Sequence, residues 1–410
     1  MAYPIIPALS LYCGVGGMRV LLLGVGSVGE VIARHLHRES KISLTAVDRD
    51  WQRLRKVRRA IRERKVVLEK IERIDDRSFI EVLNGSDIVI NAATPTVNLE
   101  LMKLCQRYRV NYMDLASDDL DRQLKMDGVW RRSGLLGLIC MGEDPGLSNL
   151  YARYASNKLD KIYEIRVRDG EYSTSSKYPL ISLFSPEIYL SEITSPAHVF
   201  LDGRLRRLPS FSGYELYSFP NPVGTLPVYH VSHEEVYTLP RFIGKGLQYV
   251  DFKLVIPDEV VRAVRLLKRL GLLAGRKVRV GDASVAPRDL LLTLIPKPWE
   301  ISRDIKGHAC LVVDVVGEKK GRRALYSLYT HLSHEEAYKM FGCNATAYLT
   351  GTVPAVVAKM LAEGKIEGQG VLTPELLHPD PIIEEIAKKH VDSYLKSSQE
   401  GRIEKIPKPD

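Results

Sequence analysis

RVLLLGVGSVGEVIARHL, residues 19–36, is the stretch whose reading decides the fold. It opens with a run of apolar residues that ends at Gly24, and it closes with apolar residues at helical spacing. Between the two lies Gly24-x-Gly26-x-x-Gly29, the spacing of a phosphate-binding turn. Gly24 permits the tight turn, Gly26 lets a pyrophosphate approach the backbone, and Gly29 lets the helix pack on the strand. Ser27 and Val28 complete the turn, at a helix N-terminus whose free N–H groups and partial positive charge favour phosphate. Glycines are common in turns. A strand before them and a helix after them make this reading specific.

Outward from the turn, short apolar runs alternate with amphipathic segments. ISLTAVD (42–48), DIVINAA (87–93), VNYMDLA (110–116) and LLGLICM (135–141) have the character of strands, and VGEVIARHLHRES and NLELMKLCQRYR that of helices. Parallel strands need long crossovers, so this alternation predicts an α/β fold with a Rossmann-type, doubly wound parallel sheet. In such sheets ligands lie beyond the carboxyl ends of the strands.

Asp48 ends the second strand at the offset of an acid that binds the adenosine ribose. A carboxylate there repels a 2′-phosphate and favours NAD, whereas Arg49 and Arg53 are partners for that phosphate and keep NADP open. A helix N-cap is the structural alternative for Asp48. Asn91, Ala92, Ala93 and Pro95 in NAATP, with Ala116 in DLASD, form a rim of small residues that a cofactor can approach. Asp144 and Pro145 in GEDPGLSN (142–149) extend that rim, and ordinary loop chemistry is the competing reading for each.

After residue 160 the texture changes. KIYEIRVRDGEY, HVFLDGRLRRL, TLPVYHV, LQYVDFKLVI, CLVVDVVGE and RALYSLYTHL are strand-like, with turns at Asp202-Gly203 and at 318–321. SPEIYLSEI, EVVRAVRLLKRLG and PRDLLLTLI are helical, so a second α/β domain on a mixed or antiparallel sheet is expected. NATAYLTGTVPAVVAKMLAEG predicts a long helix ended by Gly364, and DPIIEEIAKKHVDSYL a last helix before a polar, frayed tail.

Composition narrows the partners. With 45% hydrophobic and 27% charged residues in 410, the chain is of globular type and long enough for two or three cores. No apolar run approaches the roughly 18 residues of a membrane span, so no membrane partner is expected. Residues 1–17 hold no Lys or Arg and are expected to be an extension rather than a signal peptide. Five scattered cysteines (Cys13, Cys105, Cys140, Cys310, Cys343) form no CxxC, which fits a reducing cytoplasm and gives no metal site. The net charge of +9 is concentrated in residues 49–65, with nine Lys or Arg against two acids. Trp51, Leu54, Val57 and Ile61 give that segment a packed stripe, so a solvated helix face is expected rather than a nucleic-acid footprint.

GVGSVG, DIVINAATP, VNYMDLA, GEDPGLSN, PRDLLLTLI and TAYLTGTVPAVVAKMLAEGKIEGQGVLTPE occur in an order that resembles the saccharopine dehydrogenase-like oxidoreductases. The last two are most similar to the lysine 6-dehydrogenase branch. The resemblance spans residues 18 to about 382. It implies a Rossmann NAD(P)-binding domain of residues 18–147 and 345–390, entered again by a C-terminal helix. It also implies a substrate and dimerisation domain of residues 148–344, leaving 391–410 as a tail.

By the same resemblance, the activity is NAD(P)-linked oxidation of a carbon–nitrogen bond, or imine reduction, on an amino acid or polyamine precursor, by a cytoplasmic homodimer. Asn91 to Pro95 would lie beside the nicotinamide, with Thr94 and Asp114 near substrate. Lys253 stands where relatives often carry a carboxylate-binding arginine, keeping the charge but losing the bidentate fork. YHVSHE replaces the fungal YPNRDS. A carbon that gives up hydride needs a neutral amine beside it, so His233 is the first candidate base and Asp114 the second. Glu234, Thr238, Arg241 and Lys253 are candidate substrate contacts.

HVSHEEVY (230–237) and HLSHEEAY (331–338) nearly repeat one another. Both contain S-x-x-E, the capping-box spacing, so each is expected to start a helix. Neither has the H-E-x-x-H order of a helical metal site. The first copy is the expected catalytic one, the second a structural joint. Competing readings are a carboxynorspermidine or saccharopine dehydrogenase, a non-catalytic NAD-binding regulatory protein, and a nucleic-acid binder.

Overall fold

A computed structural model describes residues 17–61, 66–399, 401 and 403–407. The expected extension (apart from Gly17), Cys13 and residues 62–65 of the basic segment fall outside the described residues. The chain divides into two compact units, Met1–Tyr154 with Tyr348–Val391, and Ala155–Ala347 with Asp392–Asp410.

The first unit holds a seven-stranded sheet in the order Gly370–Leu372, Leu136–Leu138, Asn111–Asp114, Ile88–Asn91, Met18–Leu23, Ile42–Asp48, Val67–Lys70. All its pairings are parallel. The chain runs outward from Met18–Leu23 to one edge and then returns to build the other side. Strand order therefore reverses between Met18–Leu23 and Ile88–Asn91, the switch point where doubly wound sheets take ligands. Val20, Leu21 and Leu22 are all but inaccessible to solvent, which explains why this strand reads as a continuous apolar run rather than an alternating one.

The helix Ala345–Ala362 is long and apolar enough to cross a membrane by length and composition, yet 83% of that window is buried within the protein. Gly351 is one reason: a Cβ there would lie 2.7 Å from Cβ of Val31, so helix Ser27–Leu36 sits against it at glycine distance. Tyr348 joins the same contact, its ring 5.7 Å from that of His35. Next to the glycine turn, helix Trp51–Ala60 buries Leu54 and Val57, and Ile61 follows buried, but Trp51 is 43% exposed. The expected stripe is thus three residues, not four. Trp51 instead stacks beneath the Arg55 guanidinium.

The second unit is an eleven-stranded mixed sheet. Its main path is Arg204–Leu208, Ala197–Leu201, Tyr249–Val255, Lys161–Asp169, Lys306–Lys319, Arg322–Ser333, Ser393–Ser397, Ile403–Ile406. Tyr249–Val255 and Lys161–Asp169 pair in parallel, and the other neighbours on that path are antiparallel. The expected hairpin turns fall at Asp202-Gly203 and Lys320-Gly321, where both residues have positive φ, as such turns require.

The C-terminus corrects two expectations. The last helix covers only Pro379–Ala387, and residues expected to continue it form the strand Ser393–Ser397, paired with Arg322–Ser333. Within the segment expected to be a frayed tail, Ile403–Ile406 adds the edge strand. Ser393, Leu395 and Ser397 are buried while their neighbours are not, a period of two that sheet pairing selects over a helical one.

Candidate functional site

The glycine turn is built as its spacing requires. Gly24 has φ of +89°, and a Cβ on it would lie 2.8 Å from N of Ala93. The first strand therefore turns directly against the NAATP loop. A Cβ on Gly29 would overlap the Gly24 carbonyl oxygen at 2.0 Å, so only glycine lets the helix start so close to the strand. Gly26, by contrast, has open space where a Cβ would be. Gly26 caps helix Ser27–Leu36 without any side-chain bond, and the Ser27 hydroxyl is buried with no hydrogen-bond partner among the described residues. Open space, unpaired first-turn amides and an orphaned hydroxyl are what a pyrophosphate would satisfy, so these residues fit a dinucleotide.

Asp48 is 5% exposed, and its two oxygens accept the Val25 N–H at 2.9 Å and the Asp50 N–H at 2.8 Å. It ties the second strand to the glycine turn. The N-cap of the following helix is Asp50, whose side chain accepts the Gln52 N–H, so the capping alternative for Asp48 is excluded. Arg49 is exposed, and Arg53 reaches both Asp48 and Asp50 at 3.7 and 3.6 Å.

Asn91 organises the neighbouring loops. Its amide donates to Oδ1 of Asn98 at 2.6 Å and to the Thr94 carbonyl, while its Oδ1 accepts the Ala93 N–H. Asn98 in turn donates to the Ala116 carbonyl at 2.8 Å. Asn91, Ala92, Ala93, Thr94, Pro95 and Ala116 are thereby one hydrogen-bonded rim beside Gly24. Asn98, a residue the sequence reading missed, holds its two loops together. Asp144 and Pro145 lie in a loop closed by the Gly142 N–H to the Pro145 carbonyl at 2.7 Å, and Asn149 pins it to the buried Glu375 at 3.0 Å.

Asp114 requires a correction. It is 1% exposed, with one oxygen accepting the Gln123 amide at 2.6 Å and the other the Cys140 N–H at 2.7 Å. A carboxylate so enclosed braces the fifth and sixth strands and is not a base for a substrate amine.

In the second unit, the strand Tyr249–Val255 separates what the sequence reading had put together. Alternation sends Phe252 to one face and Asp251 and Lys253 to the other. His233 lies on the Phe252 side, its ring stacked on that phenyl at 3.9 Å and 8°. Lys253 lies on the opposite side, bonded to Glu215 at 2.7 Å beside the buried Arg168–Asp251 pair at 2.8 Å. A cavity of about 470 Å³ opens on that face, lined by Arg166, Arg168, Glu215, Tyr249, Asp251 and Lys253 among others. Lys253 therefore does not share a pocket with His233. Arg241 is exposed and lies along Phe242, while Thr238 is buried in the helix Glu235–Phe242.

Around His233 gathers a set of acids. Nδ1 contacts the fully buried Glu235 carboxylate at 2.5 Å and Glu234 at 3.7 Å. Burial works against the imidazolium, but Glu235, Glu234 and Glu192 outweigh it and raise the pKa to about 10. A base must be deprotonated to work, so this clamp of carboxylates, which favours the imidazolium, counts against the expected role of His233 as that base. Ligand atoms of His233, Glu234 and Glu235 all lie within 4.8 Å of one another.

Glu171 and Glu192, absent from the sequence reading, add two carboxyls whose charges interact with His233. Burial and the surrounding carboxylates raise Glu192 to about 8, and burial raises Glu171 to about 7. A lone glutamate after a strand, and another inside a helix, carry no motif that would have pointed to them.

Comparison with known proteins agrees with the fold and the turn. Residues 20–138 match the saccharopine dehydrogenase NADP binding domain, and residues 142–391 match the saccharopine dehydrogenase C-terminal domain. The chain is a member of the saccharopine dehydrogenase family, an oxidoreductase with NAD(P) as its cofactor. Among curated proteins, it is 28% identical to carboxynorspermidine synthase of Vibrio cholerae over 394 residues, covering 90% of this chain and 94% of that one. It is 24% identical to carboxyaminopropylagmatine dehydrogenase of Synechocystis over 382 residues, covering 90% and 95%. Among solved structures, it matches apo saccharopine dehydrogenase (L-Glu forming) from Saccharomyces cerevisiae with a TM-score of 0.69 at 17% identity. That match covers 93% of this chain and 99% of the other, and it shows the fold alone.

Proposed function

We propose that this enzyme interconverts a secondary amine and its imine on a carboxylated polyamine, of the kind represented by carboxynorspermidine and carboxyaminopropylagmatine. The observation that carries this reading is the acidic cluster at His233, where Glu235 and Glu234 meet the imidazole at 2.5 and 3.7 Å and the charges of Glu171 and Glu192 act on the same group. A polyamine brings several ammonium groups, each needing an anion once it leaves water. Saccharopine carries more carboxylates than nitrogens and would be repelled there. The names of the two curated relatives point the same way, and the lysine 6-dehydrogenase reading gives way to this one.

Gly26, Ser27, Val28 and Gly29 would hold the pyrophosphate, and NAD(P), when bound, supplies the hydride acceptor or donor. The Asp48 oxygens are spent on backbone amides, whereas Arg49 is exposed beside them. That balance favours a 2′-phosphate and reverses the sequence-based preference for NAD, so NADP(H) is the proposed better substrate form. The test is a steady-state assay with each nucleotide against carboxynorspermidine, carboxyaminopropylagmatine, saccharopine and lysine. The expected outcome is a kcat/KM for a carboxylated polyamine about tenfold or more above those for the other two. A preference for lysine or saccharopine overturns the proposal.

A further inference from the structure

We propose that the cavity on the face of Tyr249–Val255 opposite His233 is a second ligand site, which takes a free α-amino acid as its zwitterion. It lies within the second unit, where the strands Lys161–Asp169, Tyr249–Val255 and Glu215–Ser218 supply most of its lining. Its volume of about 470 Å³ is in the range of small-molecule sites. The activity proposed above does not use this face, so the site stands whichever amine is turned over.

Two buried cations line the space. Arg168 is 2% exposed and Lys253 is 8% exposed, and they are register partners on adjacent parallel strands. Like charges side by side on one sheet face repel, and buried ones need an anion between them. Glu215 supplies it: one carboxylate oxygen accepts from Lys253 Nζ at 2.7 Å and from Arg168 Nη2 at 3.2 Å. The other nearby acid, Asp251, is 1% exposed and already committed. Its two oxygens meet Arg168 Nη1 at 2.8 Å and His230 Nε2 at 3.2 Å, which fixes the guanidinium in place.

Glu215 is held differently. Its side chain is 34% exposed, and it opens an edge strand paired only with Thr225–His230. Rotation of that side chain uncovers both cations without breaking a ladder bond. Glu215 also leaves the Arg168 fork incomplete, because the Nε–H is buried with no partner among the described residues. A ligand carboxylate on Nε and Nη2 would make the bidentate contact that Glu215 does not, while Lys253 holds it from the side. Glu215 is thus an internal stand-in for the carboxylate of a ligand.

The charge of the lining decides what else the ligand carries. Three cations, Arg166, Arg168 and Lys253, face four carboxylates, Glu164, Asp202, Glu215 and Asp251. A phosphate or a dicarboxylate would add to an excess of negative charge. A carboxylate joined to an ammonium would not, since the ammonium meets the displaced Glu215 and the more accessible Glu164 and Asp202. An α-amino acid has its two charges one carbon apart, which suits a Glu215 that stays beside the carboxylate it gave way to.

Isothermal titration calorimetry on the full chain without nucleotide tests the site with a panel of L-α-amino acids. Spermidine, which lacks a carboxylate, and inorganic phosphate, which lacks an amine, are the controls. At least one amino acid is expected to bind at one site per chain, more tightly than either control. Glu215→Ala should tighten that binding about tenfold, because the internal carboxylate no longer competes. Lys253→Met should weaken it about tenfold. A merely disturbed fold would weaken binding in both variants, so the opposite signs are diagnostic. If Lys253→Met does not fold, Glu215→Ala decides alone. Lack of binding to both the wild type and Glu215→Ala, equal binding of either control, or an affinity untouched by Glu215→Ala overturns the proposal. Turnover plays no part in these measurements, so a failure of the polyamine reading is seen separately.

Discussion

HVSHEEVY and HLSHEEAY differ at two of eight positions, yet the protein uses them in opposite ways. In the second copy Ser333 caps helix His334–Phe341, and Glu336 reaches back to it, so the capping box is complete. In the first copy the helix starts later, at Glu235, with no side-chain cap. Ser232 bonds His198 at 3.1 Å instead, and Glu235, the counterpart of Glu336, clamps His233. The expectation of two capping boxes holds for one copy only.

The histidines diverge as sharply. His334 is fully buried and accepts the Ala345 N–H at 3.1 Å, and burial lowers its pKa to about 4. His233 is raised to about 10. What differs is the partner brought by distant chain: a backbone N–H for one, carboxylates for the other. Nearly identical local sequence therefore says little about charge state.

The strongest way to break this comparison is to remove each imidazole in turn. His233→Ala should lower kcat/KM by about 100-fold, because the acidic cluster loses the imidazole that Glu234 and Glu235 engage. His334→Ala should change kcat/KM per folded molecule by less than about threefold. Equal losses in the two variants would end the distinction.

Stability should show the reverse order. His334→Ala leaves the Ala345 N–H unpaired and a void behind it, so urea denaturation should register a loss of about 2–3 kcal/mol. The pH dependence sharpens the point. Its folded pKa lies below the unfolded value, so its contribution is full above about 6.5 and is lost as pH falls toward 4. His233 has the opposite sign: its contribution is full below about 6.5 and is lost as pH rises through 10. The His334→Ala variant should lose part of the wild-type sensitivity between pH 6.5 and 4.

The smallest effect concerns the serines. Ser333→Ala should cost about 1 kcal/mol, the worth of an N-cap. Ser232→Ala, which caps nothing, should cost less than about 0.5 kcal/mol by the same measurement. Equal costs would mean that the first copy is capped in solution after all.

The sequence by itself determined the first unit and its glycine turn. Gly24, Gly26 and Gly29 are local devices: each acts on atoms within a few residues or on the loop abutting the same strand end, so spacing is enough to read them. Asn91 and Asp48 were located as residues that matter, although their partners, Asn98 and the Val25 and Asp50 amides, appear only in space. Strand patterns were also legible wherever burial imposes a period. They failed at Ser393–Ser397, where a partner strand rather than local propensity chose the conformation.

Only the tertiary structure decided the chemistry of the second unit. Whether Lys253 faces His233 depends on which side of a strand each occupies, and the sheet puts them on opposite faces. Whether His233 is a base or a cation depends on Glu192, Glu234 and Glu235, one of which arrives from a helix some forty residues earlier in the chain. Electrostatic character is set by neighbours within a few ångströms through burial and charge. Sequence distance carries no record of those neighbours until the chain has folded.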